Sequence, residues 1–408
     1  MGCTMQLTVL ERDCHMYATF QSHNQKVVQN RNGVFLSYLS RYDESAERGR
    51  WVLAQSSDGG ATFRERYSMD IVGAKPPAIE TDAEGTLLLA GEDGSEPRHG
   101  LYYSRFLAKD DYHQPVETTR LPCGSRSKFA MDYDRVTGTL YFFNHYGGLY
   151  VIDAVTGKHR LIQVMEPYSE IAQTQYPHVY LDLDRVLHHA WTTQHKNRFL
   201  YWDIHYAQSA DRGETWTKAD GTPLPIPFVP DDSGPSDPII LPDEFEVHTW
   251  LSSMIEKNGK AHFAYRAHNY DSGMNRQHYV RVDLKSGKID LNVYPQWRVG
   301  GLSINSLDGF FATRRDDPAS ALYYVSRTED RSLAAIVSLD NGDSWDVLDA
   351  SDPMPPAKDT YSIGGSREVT SDGFIIGTFT MQEGKKGDPC FFRIAAQLEG
   401  LPEDETRW

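Results

Sequence analysis

One pattern recurs three times along the 408 residues and restricts the fold more than any other feature. Ser56-Ser57-Asp58-Gly59-Gly60-Ala61-Thr62-Phe63, Ser209-Ala210-Asp211-Arg212-Gly213-Glu214-Thr215-Trp216 and Ser338-Leu339-Asp340-Asn341-Gly342-Asp343-Ser344-Trp345 share SxDxG, then a small hydroxyl residue and an aromatic. In such a segment the Asp carboxylate accepts backbone N–H bonds, the Gly takes a positive φ, and the aromatic fills the gap between neighbouring units. Each recurrence therefore marks a hairpin turn in a repeated β unit. The three aspartates are read as structural staples, and none is assigned to catalysis.

The pattern resembles the Asp-box (BNR) repeat of sialidase-like propellers. Between the boxes, short strands alternate with turn signals, as in four-stranded antiparallel blades. Seven units are readable. They begin at HNQKVVQN, PPAIETDAEG, KFAMDYDRVTG, YPHVYLDLDRV, EVHTWLSSMIEKNG, DGFFATRRDD and SREVTSDGFIIG. The expected fold is all-β, a seven-bladed β-propeller over residues 1–408 as one domain, its length explained by repetition around an axis. A strand from residues 5 to 12 is expected to complete the last blade, since otherwise two sheet edges stay unpaired.

Composition narrows the partners. The net charge of -16 argues against nucleic acid, whose phosphates need a basic face. No apolar run is long enough for a helix to cross a bilayer, so no membrane partner is expected. Cys3, Cys14, Cys123 and Cys390 are far apart and form no CxxC pair, which reads as reduced or incidental thiols. The opening MGCTMQLTVLERDCHM lacks a basic start and an apolar core, so no secretory signal is visible. Either a cytoplasmic protein or a mature form without its leader is the expectation, and a monomer.

In a propeller the innermost strand of each blade starts at one face, and the turn between its second and third strands returns to that face. Those two places give His23, Asn24, Arg41 and Tyr42 in the first unit, and Lys75, Arg98 and His99 in the second. The third gives Arg126, Lys128, Asn144 and His145, and the fourth Tyr176, His178, Gln194 and His195. His248, Arg266, His268 and Asn269 follow in the fifth, then Arg327, Arg331, Tyr361 and Arg367 in the last two. Histidine and arginine thus gather at one mouth of an acidic chain, which should be locally basic. Residues i and i+2 of a strand share a side, so Tyr176 with His178, and Arg266 with His268, are expected to address one ligand.

The run YPHVYLDLDRVLHHAWTTQ…YWDIHYAQSADRGETW resembles the repeat shared by propeller polysaccharide lyases acting on ulvan and related uronate polymers, and by similar rhamnosidases and lyases of rhamnose-capped glucuronate chains. That resemblance implies a His, a Tyr and an Arg acting around a uronate at the propeller centre. The catalytic candidates are His145, Tyr176, His178, Arg266 and His268. His23, Asn24, Arg41, Lys128, Asn144, Gln194, His248, Arg327, Tyr361 and Arg367 are the substrate-binding candidates. The chemistry asks for these residue types: β-elimination removes the C5 proton of a uronate, so a cation must hold the carboxylate as enolate charge develops. A base takes the proton and an acid supplies one to the leaving oxygen, roles open to Tyr and His.

The first expectation is therefore a lyase on an acidic oligo- or polysaccharide. A sialidase-like or rhamnosidase-like hydrolase stands second, although no FRIP-like opening or nucleophile pair is visible. A non-catalytic carbohydrate-binding propeller is the third. No cofactor is expected; no His spacing is diagnostic of a metal, with a structural or substrate-assisting divalent ion left open.

Overall fold

The computed structural model describes residues 5–43, 48–72, 75–93, 100–122, 128–269, 271–293, 297–299, 301–355 and 358–396. Their strands form seven antiparallel sheets. The innermost strands are, in blade order, Val27–Asn30, Ala78–Thr81, Phe129–Asp134, Ala172–Leu181, His248–Lys257, Leu302–Thr313 and Asp359–Gly365. Consecutive inner strands touch, and Val27–Asn30 also reaches Phe374–Glu383 of the last blade, so the sheets close into a ring. The chain is a seven-bladed β-propeller.

Closure uses Gln6–Val9, which pairs antiparallel with Cys390–Arg393 as the outermost strand of blade 7. That strand is shorter than the 5–12 segment expected. Cys14 and Cys390 are buried free thiols, and burial pushes Cys390 up to about 12. Cys3 and Cys123 lie outside the described residues.

Each sheet packs against two neighbours, so its middle strands are covered on both faces. Leu322–Thr328 and Leu333–Ser338 are buried along their whole length, while the outer strand His159–Gln163 stays largely exposed. Alternation of apolar and polar residues, the expected strand signature, therefore holds poorly in the blade middles.

All three boxes join the third strand of a blade to its fourth, at the rim. Asp58 Oδ1 accepts the Thr62 N–H at 2.9 Å, Asp211 Oδ1 that of Thr215 at 2.8 Å and Asp340 Oδ1 that of Ser344 at 2.8 Å. The box Ser accepts the Gly N–H in each, and those glycines have φ of +96°, +90° and +91°. A Cβ on Gly60 would lie 2.0 Å from the ring of Phe391, so this turn needs glycine for contact as well as for φ. The box aromatics reach the neighbouring blade: Phe63 meets Phe391, Trp216 meets Phe143 and Trp345 meets Tyr279.

Candidate active site

Where the inner strands begin, a cavity of about 570 Å³ opens on the axis. Every blade contributes to it from its inner strand or the residues just before: His23, Lys75, Lys128, Tyr176, Trp250 with Leu251, Asp308 and Tyr361. Phe199 and Tyr201 join them from the second turn of blade 4, and Arg266 and His268 from the end of the second strand of blade 5. Tyr17, Phe20, Gln21 and Ser22 complete the wall. They are there because the N-terminal strand lies at the rim of blade 7 while the first inner strand lies on the axis, so the connecting chain must cross this face. Thr19 ties it down through Thr380 Oγ1 and the Ser362 carbonyl, and buried Lys26 donates to the Gln21 and Asn24 carbonyls at 2.7 and 3.2 Å.

Tyr176 occupies the middle of this wall. Its ring lies 5.5 Å from those of Tyr201 and Trp250 and 5.6 Å from His23, with the Lys128 ammonium 4.4 Å from its centroid. Its backbone has φ +44°, inside a register shift between Gln175 and His178. Burial, with Tyr201 and Tyr361 close, holds its hydroxyl well above the ordinary tyrosine range, so it keeps its proton. Lys128 donates to Gln175 Oε1, and burial, reinforced by Lys75, pushes it down to about 7.

Two neutral imidazoles share the cavity. His23 Nε2–H donates to the Phe129 carbonyl at 3.1 Å, which leaves Nδ1 with the lone pair; burial, aided by His178 and Lys26, keeps the ring uncharged. Burial first, then Arg266 and His248, push His268 down to about 4. His268 stacks on His248 with centroids 5.0 Å apart, and Arg266 Nε donates to Asn275 at 2.9 Å. Among the described residues lining this wall, Lys75, Lys128 and Arg266 meet one carboxylate, Asp308, whose pKa burial raises, while Lys75 is also paired with buried Glu92 at 3.0 Å.

A family model described as a BNR repeat-containing family member matches residues 6–291. The chain belongs to the BNR repeat-containing family. No curated protein matches it. Among solved structures, an ulvan lyase bound to -[GlcA(1-4)Rha3S]- superposes with a TM-score of 0.64 at 12% identity, covering 96% of both chains. The polysaccharide lyase Uly1 gives 0.63 at 9% identity over 96% of this chain and 99% of its own. The α-L-arabinofuranosidase of Fusarium graminearum gives 0.50 at 10%, over 96% and 98%. At these identities what is shared is the propeller.

Against that fold, the sequence-based site divides. Tyr176, Arg266, His268, His23, Lys128 and Tyr361 line the cavity of this BNR propeller, and His248 stands directly behind His268. The rest do not, each for a physical reason. His145 is buried behind Lys128, its N–H bonded to the Lys128 carbonyl at 3.0 Å and its carbonyl taken by Thr174. His178 lies beneath the cavity floor, because the shift after Gln175 breaks the alternation that would have put it beside Tyr176. Asn24 is buried under the crossing segment, with its carbonyl on Lys26. Asn144 caps its own turn through the Tyr146 N–H, and Gln194 accepts from Gln173 across the strand pair.

The arginines are corrected in the same way. Arg41 sits at an exposed edge against Asp70, and Arg327 is held by Asp359 and the Thr360 carbonyl. Arg367 plugs the axis below the cavity, donating to the Val179 and Met131 carbonyls and to Glu80. Arg98, His99 and Arg126 lie outside the described residues. Sequence reasoning missed Tyr17, Phe20, Phe199, Tyr201, Trp250 and Asp308. Trp250 lies near the start of His248–Lys257, where the other blades were searched, so the same rule would have found it; Asp308 lies midway along Leu302–Thr313, beside the register shift between Asn305 and Gly309.

Proposed function

We propose that this BNR propeller is a polysaccharide lyase that cleaves a uronate-containing glycan by β-elimination in the axial cavity. The observation that carries the reading is the meeting of a protonated tyrosine, neutral histidines and the basic side chains Lys75, Lys128 and Arg266 within one aromatic wall. Tyr176, Tyr201, Trp250 and Tyr361 offer flat faces to sugar rings. Arg266, with His268 beside it, takes the uronate carboxylate, and its fork stabilises the charge that develops there when the C5 proton leaves. His23 Nδ1 accepts that proton. The C5–H electron pair becomes the C4=C5 double bond, the C4–O bond breaks, and Tyr176 gives its proton to the departing oxygen. Lys128 beside the Tyr176 ring then offsets the tyrosinate until the proton is returned.

A glycosidase using the usual carboxylate pair needs two acids flanking the scissile bond. Among the described residues lining the cavity, Asp308 is the single carboxylate, which favours elimination over hydrolysis. The test is a panel of uronate-containing and neutral glycans read in parallel for near-ultraviolet absorbance and for new reducing ends. Elimination gives both together on the uronate substrates alone. New reducing ends without absorbance would overturn the reading.

A further inference from the structure

On the face opposite the cavity, the first hairpin of blade 4 and the end of the inner strand of blade 5 bring together Asp182, His188 and Glu256. One ligand atom from each lies within 4.8 Å of the others. Asp182 and His188 flank the turn after Ala172–Leu181, and Glu256 is near the end of His248–Lys257. From these groups we infer a divalent transition-metal site that clamps blade 4 to blade 5.

Contacts outside the cluster hold the His188 ring in place. Gln208 Nε2 donates to the Lys218 carbonyl at 3.2 Å, so its Oε1 points the other way and accepts the Tyr206 O–H at 3.2 Å. The Tyr206 oxygen lies 2.6 Å from His188 Nδ1, so the other ring nitrogen is the one turned to the carboxylates. His188 Nε2 faces Asp182 Oδ2 at 3.0 Å. Each carboxylate already spends one oxygen on its own turn, Asp182 Oδ1 on the Val186 N–H at 2.8 Å and Glu256 Oε1 on the Gly259 N–H at 2.7 Å. The three side chains thus offer an ion one donor atom each, with Asp182 Oδ2 already beside His188 Nε2.

Two ligand atoms about 3 Å apart can share one ion at about 2.1 Å from each, with an angle narrower than the ideal tetrahedral one. An imidazole nitrogen among carboxylates favours zinc or manganese over calcium or magnesium, whose preference is for oxygen alone. The relay from His188 Nδ1 to Tyr206 and Gln208 is the outer support that metal-bound histidines carry. The His188 side chain is 1% exposed and Asp182 11%, so the ring is fixed, while a small cavity of about 30 Å³ beside Glu256 gives room for bound water. Lys257, the cation next to Glu256, is directed away to the Pro318 carbonyl and Ser320.

The full chain, stripped with a chelator and dialysed against Zn²⁺ or Mn²⁺, is expected to retain about one ion and to melt several degrees higher than the stripped form; Mg²⁺ should do neither. Glu256→Gln keeps the acceptor for the Gly259 N–H and removes the charge, so it should fold and melt like the stripped wild type. It is expected to bind the ion at least roughly tenfold more weakly, as is Tyr206→Phe, which removes only the outer support. A stripped chain whose melting ignores Zn²⁺ and Mn²⁺ would overturn the site. Equal binding by Glu256→Gln and wild type would also overturn it, by placing the ion elsewhere.

Discussion

Two strands of neighbouring blades carry a pair of candidate residues two positions apart, and they behave differently. On the second strand of blade 5 the ladder is unbroken: Arg266, Ala267 and His268 face Gln277, Arg276 and Asn275 in register, and Arg266 and His268 both line the cavity. On the inner strand of blade 4, Gln175 faces Thr192 but His178 already faces Ala190, so one extra residue is accommodated between them. Tyr176 takes the left-handed conformation there and turns into the cavity, while His178 drops beneath it. Alternation places two side chains on one face only while the ladder holds; a bulge re-aims one of them. The inner strands of blades 5, 6 and 7 shift register at Leu251/Ser253, Asn305/Gly309 and Tyr361/Gly364, beside the residues that line the same cavity. Holding a tyrosine at positive φ costs about 1 kcal/mol or more, which the surrounding rings must offset.

Breaking the regular side of this comparison should cost most. Arg266→Ala removes the partner of the developing enolate charge, so kcat/KM on a uronate glycan should fall ~100-fold or more, on the order of 3 kcal/mol, with melting little changed. Initial rates and thermal melts on the same preparations check it.

Lys128 sharpens the bulged side, because it lies over the ring that the bulge turns inward. Its folded pKa is depressed to about 7, so the cation is present below that pH and lost above it. Binding of an anionic oligosaccharide should therefore weaken, by roughly tenfold, as pH rises through about 7. The same titration on Lys128→Met should show no such step, while the salt sensitivity due to Arg266 stays.

The smallest effect should come from a turn remote from both strands. Asp211→Ala removes the carboxylate that accepts the Thr215 N–H and hydroxyl, and should lower the melting temperature by a few degrees with rates unchanged. A rate loss comparable to that of Arg266→Ala would break the separation of staple from site.

The blades were legible because their information is local. Each box states its turn in eight consecutive residues, and Phe63, Trp216 and Trp345 dock on the neighbouring blade as the pattern implies. Searching the starts of inner strands was also a local rule, and it found His23, Lys128, Tyr176 and Tyr361. What failed was non-local. Nothing near Tyr17 and Phe20 says that the chain after a rim strand must cross the mouth. Arg327 and Arg367 read as free cations until Asp359, Glu80 and the Met131 carbonyl are brought to them from other blades. Asn144 and Gln194 are polar residues near the mouth that their own hairpins consume. Asp182 and His188 meet Glu256 only across a blade boundary, so no ligand spacing could have been read.

The difference between Tyr176 and His178 is the most direct test. Tyr176→Phe keeps the ring contacts and deletes one hydroxyl, whereas His178→Gln disturbs a buried side chain beneath the floor. Both variants should be assayed for turnover of a uronate glycan and melted under the same conditions. Tyr176→Phe is expected to lose ~100-fold or more in kcat with its melting temperature nearly unchanged, and His178→Gln to melt lower while keeping kcat within a few-fold. Near wild-type turnover by Tyr176→Phe, or a large loss of kcat without loss of stability in His178→Gln, would contradict the assignment of the acid to the bulged residue.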